Sequence, residues 1–418
     1  MPYQRQEVTV PRMNGHATDK QEAKDPSDSQ VFQTGPVLTV SFAHMLNDIY
    51  ASFLAPLLPA LIARLTLSNT QAGLLAFVHS SPSLLQPVIG HLADRASLRY
   101  FVILMPAASG TAMSLLGIAP RYAVLALLVT IAGLCSASFH AAAAAMAGRL
   151  SGWRLGRGLG FWTVGGYLGF AVGPILVASV VDVTSLQATP WLAIVGWLGS
   201  VVLYLRLRHV PLQPTASSAS SSWRHGMEGM RPILIPVVGI TLMRAMAFSA
   251  TLTFLPTLLT GQGVSFWLAG ISLSILQLAS AGGALLAGSA SDRLGRRPIM
   301  LASILIAPVL IFALVMFRGW LQLPALLGLG LTMPATHVIS LALMQEYCPD
   351  NRALATGVLL SMTFISESMG AVLLGVLADV MGLEVAAALA AIVFLVSLPL
   401  VFLLPRQKPA TLQTESPT

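Results

Sequence analysis

Gly90-His91-Leu92-Ala93-Asp94-Arg95-Ala96-Ser97-Leu98-Arg99 and Gly288-Ser289-Ala290-Ser291-Asp292-Arg293-Leu294-Gly295-Arg296-Arg297 are two versions of one short loop, 198 residues apart. Each opens on glycine, carries an Asp-Arg pair at its centre and ends on a basic residue. A shift of 197 residues aligns other uncommon positions around them. Pro59 meets Pro256, Gly73 meets Gly270, His140 meets His337, Gly160 meets Gly357, Gly173 meets Gly370 and Asp182 meets Asp379. Apolar chains match readily at Leu and Ala but not at His and Asp, so the coincidences mark an internal duplication.

What is duplicated is membrane-spanning. Of 418 residues, 55% are hydrophobic and 9% charged, against roughly 25% charged in soluble domains. Apolar runs long enough to cross a bilayer, which needs about 20 residues, fall near 36–62, 72–92, 99–119, 121–147, 158–181, 190–208, 232–260, 267–290, 298–317, 319–345, 352–380 and 383–404. The expected fold is therefore an all-α membrane protein of twelve helices, with a first half over 36–208 and a second over 232–404. An offset of six spans keeps both halves in one orientation, so the repeat is parallel, with its axis along the membrane normal.

Basic residues set the topology. With both termini cytoplasmic, 19 Lys and Arg fall on inside segments and only Arg64, Arg121 and Arg318 outside, with Arg244 left within a span. Cytoplasmic loops carry such an excess, so the net charge of +7 speaks for membrane topology and against nucleic acid. Trp191, Trp267 and Trp320 fall at expected outer boundaries, where indole rings prefer the interface. Residues 1–35 and 405–418 read as polar cytoplasmic tails, the first disordered in composition and unlike a cleavable signal peptide. The serine-rich stretch 209–231 reads as a cytoplasmic connector. Cys135 and Cys348 suggest neither a disulfide framework nor a metal site. No histidine spacing suggests a metal, and no phosphate-binding loop implies ATP. No cofactor is expected.

The second-half loop resembles the signature G-x-L-A-D-R-x-G-R-R of the major facilitator transporters. It departs at Ala290 and, conservatively, at Ser291. The first-half copy keeps Gly90, Asp94 and Arg95 but has Ser97 and Leu98 where the signature has glycine and a basic residue. The resemblance implies a gating role for Gly90, Asp94, Arg95, Gly288, Asp292, Arg293, Gly295 and Arg296, in which the aspartates pair with arginines or a helix N-terminus and release when the halves rock. Simple topology anchoring is the plainer alternative. In the fifth span Gly165, Gly169 and Gly173-Pro174 form a bare stripe that admits a close neighbour. This stripe is similar to the glycine-proline signature of proton-coupled exporters in the same superfamily, although generic packing also explains it.

One branch matches more specifically. His44-Met45-Leu46-Asn47-Asp48, Leu85-Gln86-Pro87, Phe139-His140, Val164-Gly165-Gly166, Gln345-Glu346 and Ala378-Asp379 resemble the fosmidomycin-resistance-like exporters over about residues 36–404. The chain departs from that branch at Ala141, where proline is common, and at Ser366-Glu367-Ser368, where glycine is. Arg244 stands where the branch can carry Lys.

Ionisable residues inside a membrane are functional candidates because their burial is costly. Asp48 is the first candidate for a proton carrier, its occupancy sensitive to burial and to a nearby cation. His44, one turn away on the same face, could relay the proton or fix the carboxylate, and Glu367 is a second carboxylate candidate. A hydrogen bond from Asn47 to a purely structural Asp48 is the alternative. Arg244 is a candidate for anion binding, since a guanidinium can fork onto a carboxylate or phosphonate. Otherwise it forms a fixed pair with Asp48 or Glu367. Asn47, His140 and His337 complete the substrate-site candidates, the two histidines also reading as a symmetric structural pair. His79 reads as packing. The expectation is a monomeric, proton-coupled exporter of a drug or anionic metabolite in the bacterial inner membrane, with the small-molecule substrate, protons and bilayer as its partners. A proton-coupled uptake permease on the same scaffold, or a sensor that no longer transports, are the alternatives. The retained membrane charges argue against the sensor.

Overall fold

The computed structural model describes residues 32–86, 98–151, 155–210, 223–347 and 352–404. Among these residues the chain is helical, and eleven helical segments are long and apolar enough to cross a membrane. The remaining span, the second, is α3 (Asn69–Ser80), continued by a 3-10 turn at Ser81–Leu85 that contains Pro82. Six spans thus lie on each side of residues 211–222, and the hydrophobic core divides likewise into two clusters. The Asp94-Arg95 loop lies outside the described residues.

Two of the spans that line the cavity described below are broken where proline removes a donor. The first is α1 (Thr34–Ala51) followed by α2 (Leu54–Leu65), with Pro56 in the first turn of α2. The tenth is α11 (Gln322–Thr332) followed by α12 (Pro334–Tyr347). The other spans of the first half are α4 (Leu98–Ser114), α5 (Tyr122–Leu150), α6 (Leu155–Val183) and α7 (Ala193–Leu207). The second half continues with α8 (Trp223–Gly261), α9 (Phe266–Leu294), α10 (Arg296–Met316), α13 (Arg352–Met381), α14 (Leu383–Leu395) and α15 (Leu398–Leu403). The helix α8 begins inside the expected connector. Its polar first turns lie ahead of the apolar segment Arg231–Gly261, which starts where the connector was expected to end.

Glycine decides how closely helices approach. A Cβ at Gly165 would meet the Ser41 carbonyl, at Gly169 the Met45 carbonyl, and at Gly173 the Ile49 carbonyl. The stripe therefore lays α6 directly along the backbone of α1. Between the halves, a Cβ at Gly73 of α3 would strike the Ala371 carbonyl of α13. At the repeat-equivalent seam a Cβ at Gly270 of α9 would stand 2.7 Å from the Ala178 methyl of α6. These seams lie at the end of the bundle away from the termini. There Asp379 accepts hydrogen bonds from Asn69 N and Thr70 N, both 2.8 Å, and from Thr70 Oγ1 at 2.5 Å, closing the N-terminus of α3. Trp267 donates its indole N–H to Ser179 Oγ at 3.0 Å, joining the halves rather than only marking an interface. Trp191 and Trp320 are exposed.

The basic loop residues cap helices. Arg64 donates to the carbonyls of Gly117 and Ala119, and Arg99 to those of Arg208 and Val210. In the second-half loop, Gly295 takes a φ of +93°, a conformation suited to glycine. Arg296 then bridges Ser291 Oγ at 2.5 Å and Glu346 Oε1 at 2.7 Å. These contacts tie α9 to α12 within one half.

Candidate functional site

A cavity of about 460 Å³ lies between the halves. Asp48, His79 and His140 face it from the first half and Arg244, His337 and Glu367 from the second. Phe170, Phe248, Leu252, Leu273 and Phe364 supply much of its apolar wall. The breaks at Ser52 and Pro334 both line it, which places interrupted helices at the cavity, as transporter sites often have them.

On the first-half wall, His44 and Asp48 stack one turn apart on α1, and α5 brings His140 to them. His44 Nε2 lies 3.1 Å from Asp48 Oδ2 and 3.1 Å from His140 Nε2, while His140 Nε2 is 3.5 Å from Asp48 Oδ1. Asn47 donates through Nδ2 to Asp48 Oδ1 at 2.9 Å and to Ser136 Oγ at 3.1 Å. The other ring nitrogens meet the backbone: His44 Nδ1 lies 2.7 Å from the Trp162 carbonyl and His140 Nδ1 2.8 Å from the Ser136 carbonyl. Trp162 also stacks on His44, with centroids 4.0 Å apart and planes 14° from parallel. Gly166 leaves the space, since a Cβ there would press on the His44 ring and Asp48 Oδ2.

Asp48, His44 and Asn47 are buried, and the His140 side chain is 25% exposed. His44, Asp48 and His140 each bring one potential metal donor atom within 4.8 Å of the others. No sequence spacing shows this grouping, because His140 arrives from a distant span. Its converging atoms are taken up in hydrogen bonds with one another.

The second-half wall is looser. Arg244 Nη2 reaches Glu367 Oε1 at 3.5 Å, with Arg244 buried and Glu367 28% exposed. The guanidinium also lies over Phe248, 5.4 Å from the ring centroid, within cation–π range. Of the two partners offered for Arg244 by the sequence, Asp48 and Glu367, the structure pairs it with Glu367. That pair lies within one half and does not tie the halves together. Arg244 Nε, His337 Nδ1, Gln277 Oε1 and His79 Nε2 are buried without hydrogen-bond partners, and all four residues line the cavity.

Of the candidates read from sequence, Asp48, His140, Arg244, His337 and Glu367 face the cavity, whereas His44 and Asn47 stand behind Asp48. His79, read as packing, is also at the wall. Trp162, Ser136 and Gln277 were missed, because uncharged side chains in an apolar chain carry no signal of their own. Asp292 belongs to α9, but its side chain is not described.

Two parallel-repeat halves around a central cavity with a few charged side chains in an apolar wall are the construction of a membrane transporter, not of an enzyme. The family model of the Major Facilitator Superfamily matches residues 40–350 and 239–418, and the chain belongs to that superfamily. It is 25% identical over 375 residues to the fosmidomycin resistance protein of Escherichia coli (strain K12), covering 87% of this chain and 91% of that one. It is 26% identical over 382 residues to YfnC, an MFS-type transporter of Bacillus subtilis (strain 168), covering 88% and 92%. Among solved structures, a bacterial homologue of the human lysosomal transporter Spinster, inward-facing and occupied, superposes with a TM-score of 0.76. It does so at 15% identity, over 89% of this chain and 96% of that one.

Proposed function

We propose that the chain exports a small organic anion in exchange for protons across the bacterial inner membrane, as a monomer with both termini cytoplasmic. Arg244 carries the reading. A buried, permanently charged guanidinium faces the cavity, held by one 3.5 Å contact and with Nε unpartnered. An anion that presents two oxygens to the guanidinium fork would satisfy the remaining donors far better than Glu367 does. The apolar wall suits a cargo with a hydrophobic body.

His337 and Gln277 flank the anion in this reading. Asp48 with His44 and His140 forms the proton-coupling group, and Glu367 ties Arg244 occupancy to charge balance. The loops of Asp94 and Asp292 serve as gates. The Escherichia coli relative makes fosmidomycin the first cargo to try.

Purified protein in proteoliposomes, under an imposed pH gradient and offered fosmidomycin and a panel of small phosphonates and carboxylates, should accumulate one of them against the proton gradient. Accumulation in the direction of proton flow would make the protein an uptake permease. Movement of no anion under any gradient would sink transport of this class.

A further inference from the structure

The first-half cluster has a proton count that its geometry fixes. A backbone carbonyl only accepts hydrogen bonds. The Nδ1 atoms of His44 and His140, at 2.7 Å and 2.8 Å from the Trp162 and Ser136 carbonyls, must therefore both carry hydrogen. In neutral rings the two Nε2 atoms would then be bare lone pairs. They face each other at 3.1 Å, beside the Asp48 carboxylate. Two lone pairs and an anion do not converge at hydrogen-bond distance without a hydrogen between them.

That hydrogen cannot be placed on Asp48. A proton on Oδ1, which also accepts from Asn47 at 2.9 Å, would reach only His140 Nε2 at 3.5 Å and leave His44 Nε2 and the contact between the two rings unbridged. A proton on Oδ2 would satisfy His44 Nε2 and leave the contact between the two rings unbridged. Placed on an imidazole, one proton answers both contacts: His44 Nε2–H lies 3.1 Å from Asp48 Oδ2 and 3.1 Å from His140 Nε2. The cluster is then a neutral imidazolium–carboxylate pair, the form least costly to bury.

Resting on the proton-coupled reading above, we propose that the exchanged proton is carried by the His44–His140 imidazole pair, while Asp48 stays ionised as its counter-ion. The two rings have different duties. Trp162 stacking and burial hold His44 in place. His140 is 25% exposed and lines the cavity, so it exchanges the proton with the cavity. Loss of that proton leaves the two Nε2 lone pairs opposed and pushes His140 from His44, loading the α1–α5 contact at the moment of release. The groups facing the pair are Asp48 on α1, Ser136 on α5, Trp162 on α6 and His79 on α3. Tyr167 of α6 and Arg244, His337 and Glu367 of the second half stand at the same cavity.

The test is a pH-difference infrared titration of the purified full-length protein in lipid nanodiscs, which needs no cargo. Among the titrating imidazole ring bands of the eight histidines, one component should be lost in His140→Gln and the same component in His44→Gln. No protonated-carboxyl band should disappear in Asp48→Asn. In proteoliposomes, His140→Gln should lower pH-driven accumulation at least tenfold. A carboxyl band removed by Asp48→Asn would move the proton to Asp48 and overturn the proposal. So would one equivalent of metal in the purified protein that His140→Gln releases. Absence of pH-driven flux in the wild type, with the infrared result as expected, would instead overturn proton coupling and leave the shared-proton cluster standing.

Discussion

His140 and His337 occupy the same position of a duplicated frame and lead different lives. His140 binds the Ser136 carbonyl through Nδ1 and joins His44 and Asp48 through Nε2. His337 follows the break at Pro334, and its Nδ1 has no partner. The divergence extends along the first span of each half. Under the same shift His44 corresponds to Thr241, Asn47 to Arg244 and Asp48 to Ala245. One half holds an acid and two histidines in a connected network. The other has a cation whose carboxylate arrives from α13 and whose donors are mostly unused. Duplication supplied the scaffold, and substitution divided the labour, with proton handling in one wall and anion capture in the other.

The sharpest way to break that division is at Arg244. Arg244→Gln should abolish binding of the anionic cargo, an effect of about 2–5 kcal/mol for a buried charge partner. Arg244→Lys should keep part of it, since the charge survives and the fork is lost. Equilibrium binding of the cargo found in the anion panel reads both. If the pair is only structural, Arg244→Gln and Glu367→Gln should each reduce the yield of folded protein, and the double variant should recover it, because removing one partner strands the other.

The second test targets what lets the first-half network assemble. A Cβ at Gly169 would stand 2.5 Å from the Met45 carbonyl and 2.8 Å from Asp48 Cβ. Gly169→Leu should therefore push α6 off α1, lowering stability by about 1–3 kcal/mol. The thermal unfolding midpoint in detergent should fall, and an unchanged midpoint would show that the stripe is not needed for this approach.

The sequence was most legible where a residue type is expensive or rare in its setting. Spans, halves and repeat followed from hydropathy and from His, Asp, Gly and Pro in register. The glycine stripe was readable as a packing face because three glycines one turn apart leave a bare strip along the helix. Within the site, charge alone marked Asp48, Arg244 and Glu367. The pairing of Arg244 with Glu367, and the meeting of His44 with His140 across 96 positions, depend on how α5 and α13 are rotated, which no local pattern records. The helix breaks escaped notice because Pro56 and Pro334 sit in runs that remain apolar on both sides.

The two histidines then give a matched comparison. His140→Gln removes a ring that is engaged at both nitrogens, and His337→Gln one whose Nδ1 has no partner. At least a tenfold loss of pH-driven accumulation is expected for His140→Gln even at saturating cargo, whereas the loss in His337→Gln, beside the anion, should fall to under threefold, about 0.6 kcal/mol, once cargo saturates, measured as initial rates in the same proteoliposomes. Equal losses would restore a common structural role and undo the division of labour.

The smallest effect concerns the other duplicated pair, Asp182 and Asp379. Asp379 binds two backbone N–H groups and one hydroxyl at the start of α3, where a negative charge also meets the positive end of the helix. Asp182, its counterpart at the end of α6, is exposed. The equivalent seam is held instead by Trp267 and Ser179, and the start of α9 is capped by its own Ser265. Asp379 sits in solvent, so the latch is worth only about 0.5–2 kcal/mol by analogy with exposed helix caps. That is still enough to shift a balanced equilibrium between closed and open seams severalfold. Asp379→Asn should raise the population in which α3 and α13 separate, read as a longer distance between spin labels placed at the ends of those helices. Asp182→Asn should leave the distribution unchanged. Identical distributions in both variants would assign the closed seam to the glycine contacts at Gly73 and Gly375, whose tight approach to Ala371 and Asn69 would then hold the halves without help from charge.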